Sequence, residues 1–256
     1  MYNRQRKTNN MVKNIVLGIK AYFGAFSLIS KLKLWKYFAI PILISVFFAI
    51  TITIAAYGLS DNIGAFFSKV WIWNWGKETF TAISNLIGAL IIIILGLILY
   101  KHIVMAFSAP FMSPVSEKIE TYLVGENNTH RNTSFLEQLW RGIRINVRNL
   151  IMELLLTIPI IIIGFIPVLG LISTILLFLV QAYYAGFGNM DYTLERHFNY
   201  TQSIKFVSKH RGLSIGIGTV FILFLFIPVI GVILVLPLSV TASTIKTVEA
   251  LQLKQQ

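Results

Sequence analysis

The sequence places basic side chains beside its apolar stretches, in two clusters. Lysines precede the first apolar stretch, and three arginines with i, i+3, i+7 spacing share one helical face. Ammonium and guanidinium groups bind oxyanions, and a helix N-terminus favours anions further. The alternative is contact with lipid phosphates, by lysines that set topology and by arginines that snorkel from an amphipathic interfacial helix. The candidate anion-binding residues are Lys31, Lys33, Lys36, Arg141, Arg144 and Arg148.

Glu153 is the one acidic residue that lies inside an apolar stretch. A carboxylate within a membrane segment is a candidate proton or ion partner. Arg148 precedes it by a few residues, so an interfacial salt bridge between the two is the alternative.

The other residue types capable of chemistry show no catalytic pattern. The absence of cysteine excludes disulfides and thiolate metal sites. The four histidines are scattered without metal-ligand spacing. The sequence also lacks a nucleophile elbow, a Walker loop and a dinucleotide fingerprint. We therefore expect no enzymatic activity, no cofactor and no metal site.

Composition indicates that the bilayer is the solvent of this chain. Hydrophobic residues make up 56% of it and charged residues only 12%, whereas a soluble domain carries about 25% charged residues. The net charge is +12, and because the positive residues flank apolar stretches, anionic lipid explains them better than nucleic acid. We predict an all-α integral membrane protein, with a flexible basic N-terminus at residues 1–10 and a single membrane domain at residues 11–256.

Two stretches have the length of ordinary transmembrane helices, at about residues 38–59 and 80–100. Residues 11–29 have an apolar stripe with lysines beside it, which predicts an interfacial amphipathic helix. The second spanning helix is expected to continue past the interface until Pro110 and Pro114 stop it.

Two later apolar stretches are each too long for one span of about 20 residues and too short for two. Each contains a similar hexapeptide, Phe165–Gly170 and Phe226–Gly231. Proline removes a helix hydrogen bond and glycine permits a reversal. We expect two hairpins, at about residues 150–188 and 213–242, that enter the membrane without crossing it. Their predicted tips are Pro167, Gly170, Pro228 and Gly231.

Non-helical backbone at membrane depth must be shielded by protein or face water. The two tips should therefore pack together, against the spanning helices or against another subunit, which favours a homo-oligomer. The alternative is two complete helical hairpins, which gives six spans. Basic residues dominate residues 1–37 and the later connections, so the positive-inside bias places both termini in the cytosol.

Four segments, in this order, resemble the family of the CysZ sulfate permeases and the etoposide-induced proteins. The first is Leu32–Tyr37, which leads to Ile40 and Pro41, and the second is Ser108–Pro114, which runs into Glu117–Glu120. The third is Met190–Arg196, and the fourth is the pair of hexapeptides. The resemblance covers most of the chain from Met11.

The resemblance implies two long transmembrane helices, two hemi-penetrating hairpins, an oligomer, and sulfate uptake at the bacterial inner membrane. One departure concerns the anion. The permeases have a Gly-Leu-Arg motif before the first span, whose arginine contributes to anion binding. Here the matching residues are Lys33, Leu34 and Trp35, followed by Lys36. Lysine presents a cation but lacks the bidentate fork of arginine.

The family-like segments also contain charged residues that lie beyond the membrane, and we interpret these mainly as a structural polar network. They are Glu117, Glu120, Asp191, Glu195 and Arg196. For the whole chain the first hypothesis is a permease for a small inorganic oxyanion, with sulfate as the substrate that the resemblance implies. The alternative is a structural or lipid-interacting membrane protein that transports nothing.

Overall fold

The computed structural model describes residues 2–252 except residues 69–76, residues 126–132, Phe165, Pro167, Val168, Pro228 and Val229. Within these residues the chain is helical and contains no strand. The α-helices are α1 (Tyr2–Lys31), α2 (Ala39–Ser68), α3 (Lys77–Val124), α4 (Phe135–Gly164), α5 (Gly170–His197), α6 (Tyr200–Lys209), α7 (Arg211–Leu225) and α8 (Ile230–Gln252), and a short 3-10 helix, η1, covers Trp35–Phe38. The all-helical class predicted from the sequence is confirmed.

Several helices are long and apolar enough to cross a membrane. By length and composition five segments qualify among the described residues, namely Asn10–Lys31, Trp35–Leu59, Phe135–Gly164, Gly170–His197 and Ile233–Leu251. Helix α7 is shorter, with 15 residues. These helices are consistent with a multi-pass membrane protein. Helix α1 includes Tyr2–Asn10, and the flexibility of this end stays a prediction.

The expectation that Pro110 and Pro114 end the second spanning helix is wrong. Helix α3 has 48 residues and contains both prolines. Pro110 cannot donate a hydrogen bond to the carbonyl of Ala106, and Gly142 of α4 lies against that carbonyl, so close that an added Cβ would be 2.8 Å from its oxygen. The carbonyl of Ser113 accepts a hydrogen bond of 3.1 Å from Arg196 Nη1. Neighbouring helices therefore pack closely against α3 around its prolines, and proline is tolerated within membrane helices that have such neighbours.

The chain forms two compact units. The smaller comprises Leu43–Lys101, within which Gly96 of α3 packs against the side chain of Ile52 of α2. The larger comprises the residues up to Ile42 and those from His102 onward. Its buried hydrophobic core is contributed by α4, α5, α6, α7 and α8, and its members are Ile145, Phe187, Met190, Leu194, Phe206, Val207, Leu213, Ile217 and Ala250.

Glycines bring three helices of the larger unit into backbone contact. Gly212 and Gly216 of α7 lie against the backbone of α1 at Met11 and Ile15. On the other side of α7, a Cβ added at Gly218 would overlap the carbonyl oxygen of Ala182 in α5. Small residues at these positions allow helices to approach closely, so α7 is held between α1 and α5.

Each of the two tips contains the same backbone hydrogen bond, at equivalent positions of the repeat. The N–H of Gly170 donates to the carbonyl of Ile166 at 3.2 Å, and the N–H of Gly231 donates to that of Ile227 at 2.9 Å. The tips therefore satisfy part of their own backbone. Pro167 and Pro228, predicted as tip residues, lie outside the described residues.

Candidate functional site

The end of α1 has the geometry that presents the predicted lysine cluster. Lys33 has a positive φ of 53° and ends the helix in the left-handed conformation usually taken by glycine. Its N–H donates to Ser30 and the N–H of Leu34 donates to Ile29, at 3.1 and 2.9 Å. Ile29 and Leu34 are both fully buried. These features form a Schellman motif with its hydrophobic contact, which turns the chain from α1 into η1.

Three lysines gather around two tyrosines at this turn and at the end of α3. Lys31 Nζ donates a hydrogen bond of 2.6 Å to the hydroxyl of Tyr122. Lys118 Nζ hydrogen-bonds to the hydroxyl of Tyr37 and lies 4.4 Å from the centre of that ring. Lys36 Nζ lies 5.3 Å from the centre of the same ring. We call Lys31, Lys36, Lys118, Tyr37 and Tyr122 the lysine–tyrosine cluster. It presents ammonium groups and hydroxyls, which are donors for an oxyanion.

Glu120 and Arg196, two residues of the predicted polar network, form a buried ion pair between α3 and α5. Arg196 Nη2 donates to Glu120 at 2.8 Å, and His197 Nε2 lies 2.6 Å from the other oxygen of Glu120. Arg196 and Glu120 are both buried. Burial alone would raise the pKa of Glu120, but the hydrogen bonds with His197 and Arg196 outweigh it, so the pKa is lowered. This carboxylate is therefore held in its charged form.

Hydroxyl groups extend this ion pair to α8. Ser116 Oγ accepts a hydrogen bond of 2.9 Å from Arg196 Nη2 and lies 2.8 Å from the hydroxyl of Thr193. Thr244 of α8 donates to Ser116 at 3.1 Å. The buried carboxylate of Glu195 accepts a hydrogen bond from the hydroxyl of Ser113. The network thus fastens α3, α5 and α8 together in the interior of the larger unit.

Arg141 is bound to Asp191 rather than presented to solvent. Its Nε and Nη2 donate to the two carboxylate oxygens of Asp191 at 3.0 and 2.9 Å. Its remaining donors bond to the carbonyl of Phe198 and the hydroxyl of Ser203, both at 2.7 Å. With its guanidinium committed in this way, Arg141 links α4 to α5 and to the start of α6.

Glu153 pairs with a histidine that the sequence analysis did not select. Glu153 Oε2 lies 3.0 Å from His102 Nε2, and both side chains are buried. Arg148, the predicted partner of Glu153, instead donates to Asn149 at 3.0 Å. Glu117, also predicted for the network, is exposed on α3.

Arg144 and Arg148 border an open groove on α4 with a volume of about 420 Å³. Its lining follows one face of the helix and consists of Trp140, Ile143, Arg144, Val147, Arg148, Ile151 and Met152. The guanidinium carbon of Arg144 lies 4.0 Å from the centre of the Tyr200 ring, and that of Arg148 lies 5.5 Å from the centre of the Phe187 ring. The predicted common face of the arginines therefore separates into Arg141, which is paired, and two arginines at the groove.

Sequence reasoning missed the partners of these charges, because they are separated along the chain. Ser113 and Ser116 of α3 share a helical face with Glu120. This spacing would have indicated the two serines as its neighbours if the helix had been predicted to continue through its prolines. Lys118 and Tyr37 have no sequence signal that joins them. The described residues also contain no group of three or more metal-ligating side chains.

A comparison with known protein families identifies a match. The family model described as sulfate transporter CysZ/etoposide-induced protein 2.4 matches residues 21–236 of this chain. The matched region covers most of the sequence, from α1 into α8, and contains the turn after α1, both hexapeptides and the buried polar network apart from Thr244.

Proposed function

Because the chain belongs to the family of the sulfate transporter CysZ and etoposide-induced protein 2.4, we propose that it is a membrane permease for a small oxyanion, and that sulfate is its substrate. Membership also confirms the family predicted from the sequence and fits a protein that is not an enzyme. The multi-pass character follows from the five candidate spans.

The lysine–tyrosine cluster is the observation that carries this proposal. Lys36 and Lys118 both lie over the ring of Tyr37, so two like charges are held near one another. Two nearby ammonium groups raise the local positive potential, and this favours a bound anion. The lysines and tyrosine hydroxyls supply the donors that the Gly-Leu-Arg motif of the permeases would otherwise supply through arginine. Lys33 lies at the same turn and adds to the local positive potential.

The buried polar network has a structural role in this proposal. Glu120 pairs with Arg196 across α3 and α5, Asp191 pairs with Arg141 of α4, and Glu195 accepts a hydrogen bond from Ser113 of α3. A permease needs a fixed frame around its path, and satisfied buried networks rigidify the elements that they join. Arg141, a candidate anion ligand from the sequence, belongs to this frame because its guanidinium is already bound to the carboxylate of Asp191.

The membrane arrangement that we propose has two spanning helices and two hairpins that half-cross. Helix α7 has 15 residues and reaches about 22 Å, which is less than the hydrocarbon core of about 30 Å. The apolar half of α4 beyond Asn149 is equally short. At both tips apolar side chains are exposed, including Ile166, Phe226 and Ile227. A second copy of the chain would shield them, and we propose a homo-oligomer in the bacterial inner membrane with both termini in the cytosol.

Sulfate flux into proteoliposomes tests the proposal. The full chain and the variant K31A/K36A/K118A are reconstituted at equal density, and uptake of labelled sulfate is measured against empty vesicles. We expect the triple variant to lose most of the flux. The matched control K205A/K209A removes two exposed lysines of α6 and should transport like the unaltered chain.

Two outcomes would count against the proposal. Absence of flux above empty vesicles, for sulfate and for other small oxyanions, would favour a structural or lipid-interacting protein without transport. Equal flux in the triple variant and the control would remove the lysine–tyrosine cluster from the path. Protease accessibility of the termini, measured in parallel, establishes that the variants insert with the same orientation.

A further inference from the structure

The groove on α4 combines an apolar floor with two cationic groups, and it is built on different elements from the lysine–tyrosine cluster. Trp140, Val147 and Ile151 are exposed along it, with Trp140 exposed at 67%. Arg144 and Arg148 lie between them on the same face, about 6 Å apart along the helix axis. A soluble surface rarely places such side chains together, whereas a membrane interface does so routinely.

The two guanidinium groups lie against aromatic rings, and most of their N–H donors stay available, although Arg148 uses one to bind Asn149. Arg144 stacks on Tyr200 and Arg148 lies over Phe187. A guanidinium that stacks through its face keeps its N–H donors for a phosphate in its own plane. The carboxylates of α4 do not compete, because Glu137 accepts the backbone N–H of Ser134 and Glu153 pairs with His102.

The groove also lies where α4 changes character. The residues that precede it along the chain include the polar start of the helix, and those that follow, such as Leu155 and Ile158, are exposed and wholly apolar. A ligand in the groove would therefore place an anionic head near the arginines and an apolar tail beside Val147 and Ile151. That division matches a phospholipid.

We propose that this face of α4 is a binding site for an anionic phospholipid, whose phosphate contacts Arg144 and Arg148 and whose acyl chain packs along Trp140, Val147 and Ile151. Charge complementarity selects an anionic over a zwitterionic lipid, because a headgroup without net charge would leave the charge of the two arginines uncompensated. A free oxyanion would use the arginines but leave the apolar floor exposed. A second copy of the chain would have to bury both guanidinium groups, which costs free energy unless its surface supplies acids.

Quenching of Trp140 fluorescence tests the site directly. The chain contains five tryptophans, and a variant with phenylalanine at the other four positions, 35, 71, 73 and 75, reports on Trp140 alone. This full-length variant is reconstituted in phosphatidylcholine bilayers that contain brominated phosphatidylglycerol or, separately, brominated phosphatidylcholine at the same mole fraction. We expect stronger quenching by the anionic lipid. In the same background R144Q/R148Q should lose the preference, by about thirtyfold in relative affinity if each basic group contributes independently.

The matched control and the alternatives have distinct results. K205Q/K209Q removes the same charge from α6 and should keep the preference, and R144K/R148K, which keeps charge and fold but loses the planar fork, should retain only part of it. Equal quenching by the two lipids, or a preference unchanged in R144Q/R148Q, would overturn the proposal. So would displacement by inorganic phosphate at constant ionic strength, which would indicate a free-anion site, or a changed oligomeric state of R144Q/R148Q, which would indicate a subunit interface. Sulfate flux is a separate measurement, so this proposal can fail while the proposed function holds.

Discussion

Replacement of Lys33 by glycine should stabilise the protein. Lys33 ends α1 with a φ of 53°, a conformation that costs an L-residue about 1–2 kcal/mol because its Cβ approaches the following carbonyl. Glycine removes that cost, but it also increases the entropy of the unfolded chain, which takes back about 0.4–1 kcal/mol. The net gain in the free energy of unfolding is therefore about 0.5–1 kcal/mol. The resemblance to the permeases, whose motif has glycine here, agrees with this direction.

The measurement is thermal unfolding of the purified full chain in one detergent, followed by intrinsic fluorescence. For a chain of this size a gain of that magnitude raises the midpoint by about 1–4 °C. Two controls separate the causes. K33A removes the same charge but keeps a Cβ, so it should not reproduce the gain. K20G introduces glycine at an exposed lysine inside α1 and should destabilise by about 1 kcal/mol. Equal midpoints for K33G and K33A would refute the reasoning, because charge removal alone would then explain any change.

Three further predictions concern packing and charge. G218A should lower the free energy of unfolding by the 1–3 kcal/mol or more that is typical of overpacking, because its Cβ would overlap a carbonyl of α5. G24A, with nothing within 4 Å of the added Cβ, should not destabilise, and equal losses in both variants would contradict the packing. The lowered pKa of Glu120 means that the unfolded chain binds more protons than the folded one. The stabilising contribution of the Glu120 carboxylate is therefore complete above the ordinary carboxyl pKa and is lost as pH falls through the lowered value. E120Q should flatten the acid side of the stability–pH profile, and an unchanged profile would argue against the ion pair. R141K should cost about 1–3 kcal/mol in chemical denaturation, since lysine cannot make the bidentate pair with Asp191, whereas an unaltered transition would mean that the pair contributes nothing.

The sequence predicts the helical class and the two broken apolar stretches because both depend on local composition. The hexapeptides at Phe165–Gly170 and Phe226–Gly231 are the clearest case, since proline and glycine act on their own backbone, and the described part of both tips has the same hydrogen bond. The end of α3 was mispredicted for a complementary reason. Local rules treat Pro110 as a terminator, but the helix continues through it and packs there against α4, where Gly142 lies next to the carbonyl of Ala106.

The charged candidates show the same limit. Their residue types mark them as important, but a partner is decided by tertiary structure. Arg141 finds Asp191 fifty residues away, and Glu153 finds His102 fifty-one residues away, in preference to the nearby Arg148. The apolar stripe predicted for α1 also omits the buried face of this helix. Gly18, Ala21 and Ala25 form its buried face, and small residues give little hydrophobic signal although they allow the closest packing.

The contact of α7 with α1 and α5 through glycines has a mechanical consequence. Where helices touch through long side chains, a small displacement of one can be absorbed by rotamer changes in the other. At Gly216 and Gly218 backbone lies against backbone, so no flexible side chain between the helices can absorb a displacement. Close-packed interiors transmit strain. A displacement of α1 should therefore move α5, and with it Asp191 and Arg196, nearly as a rigid body.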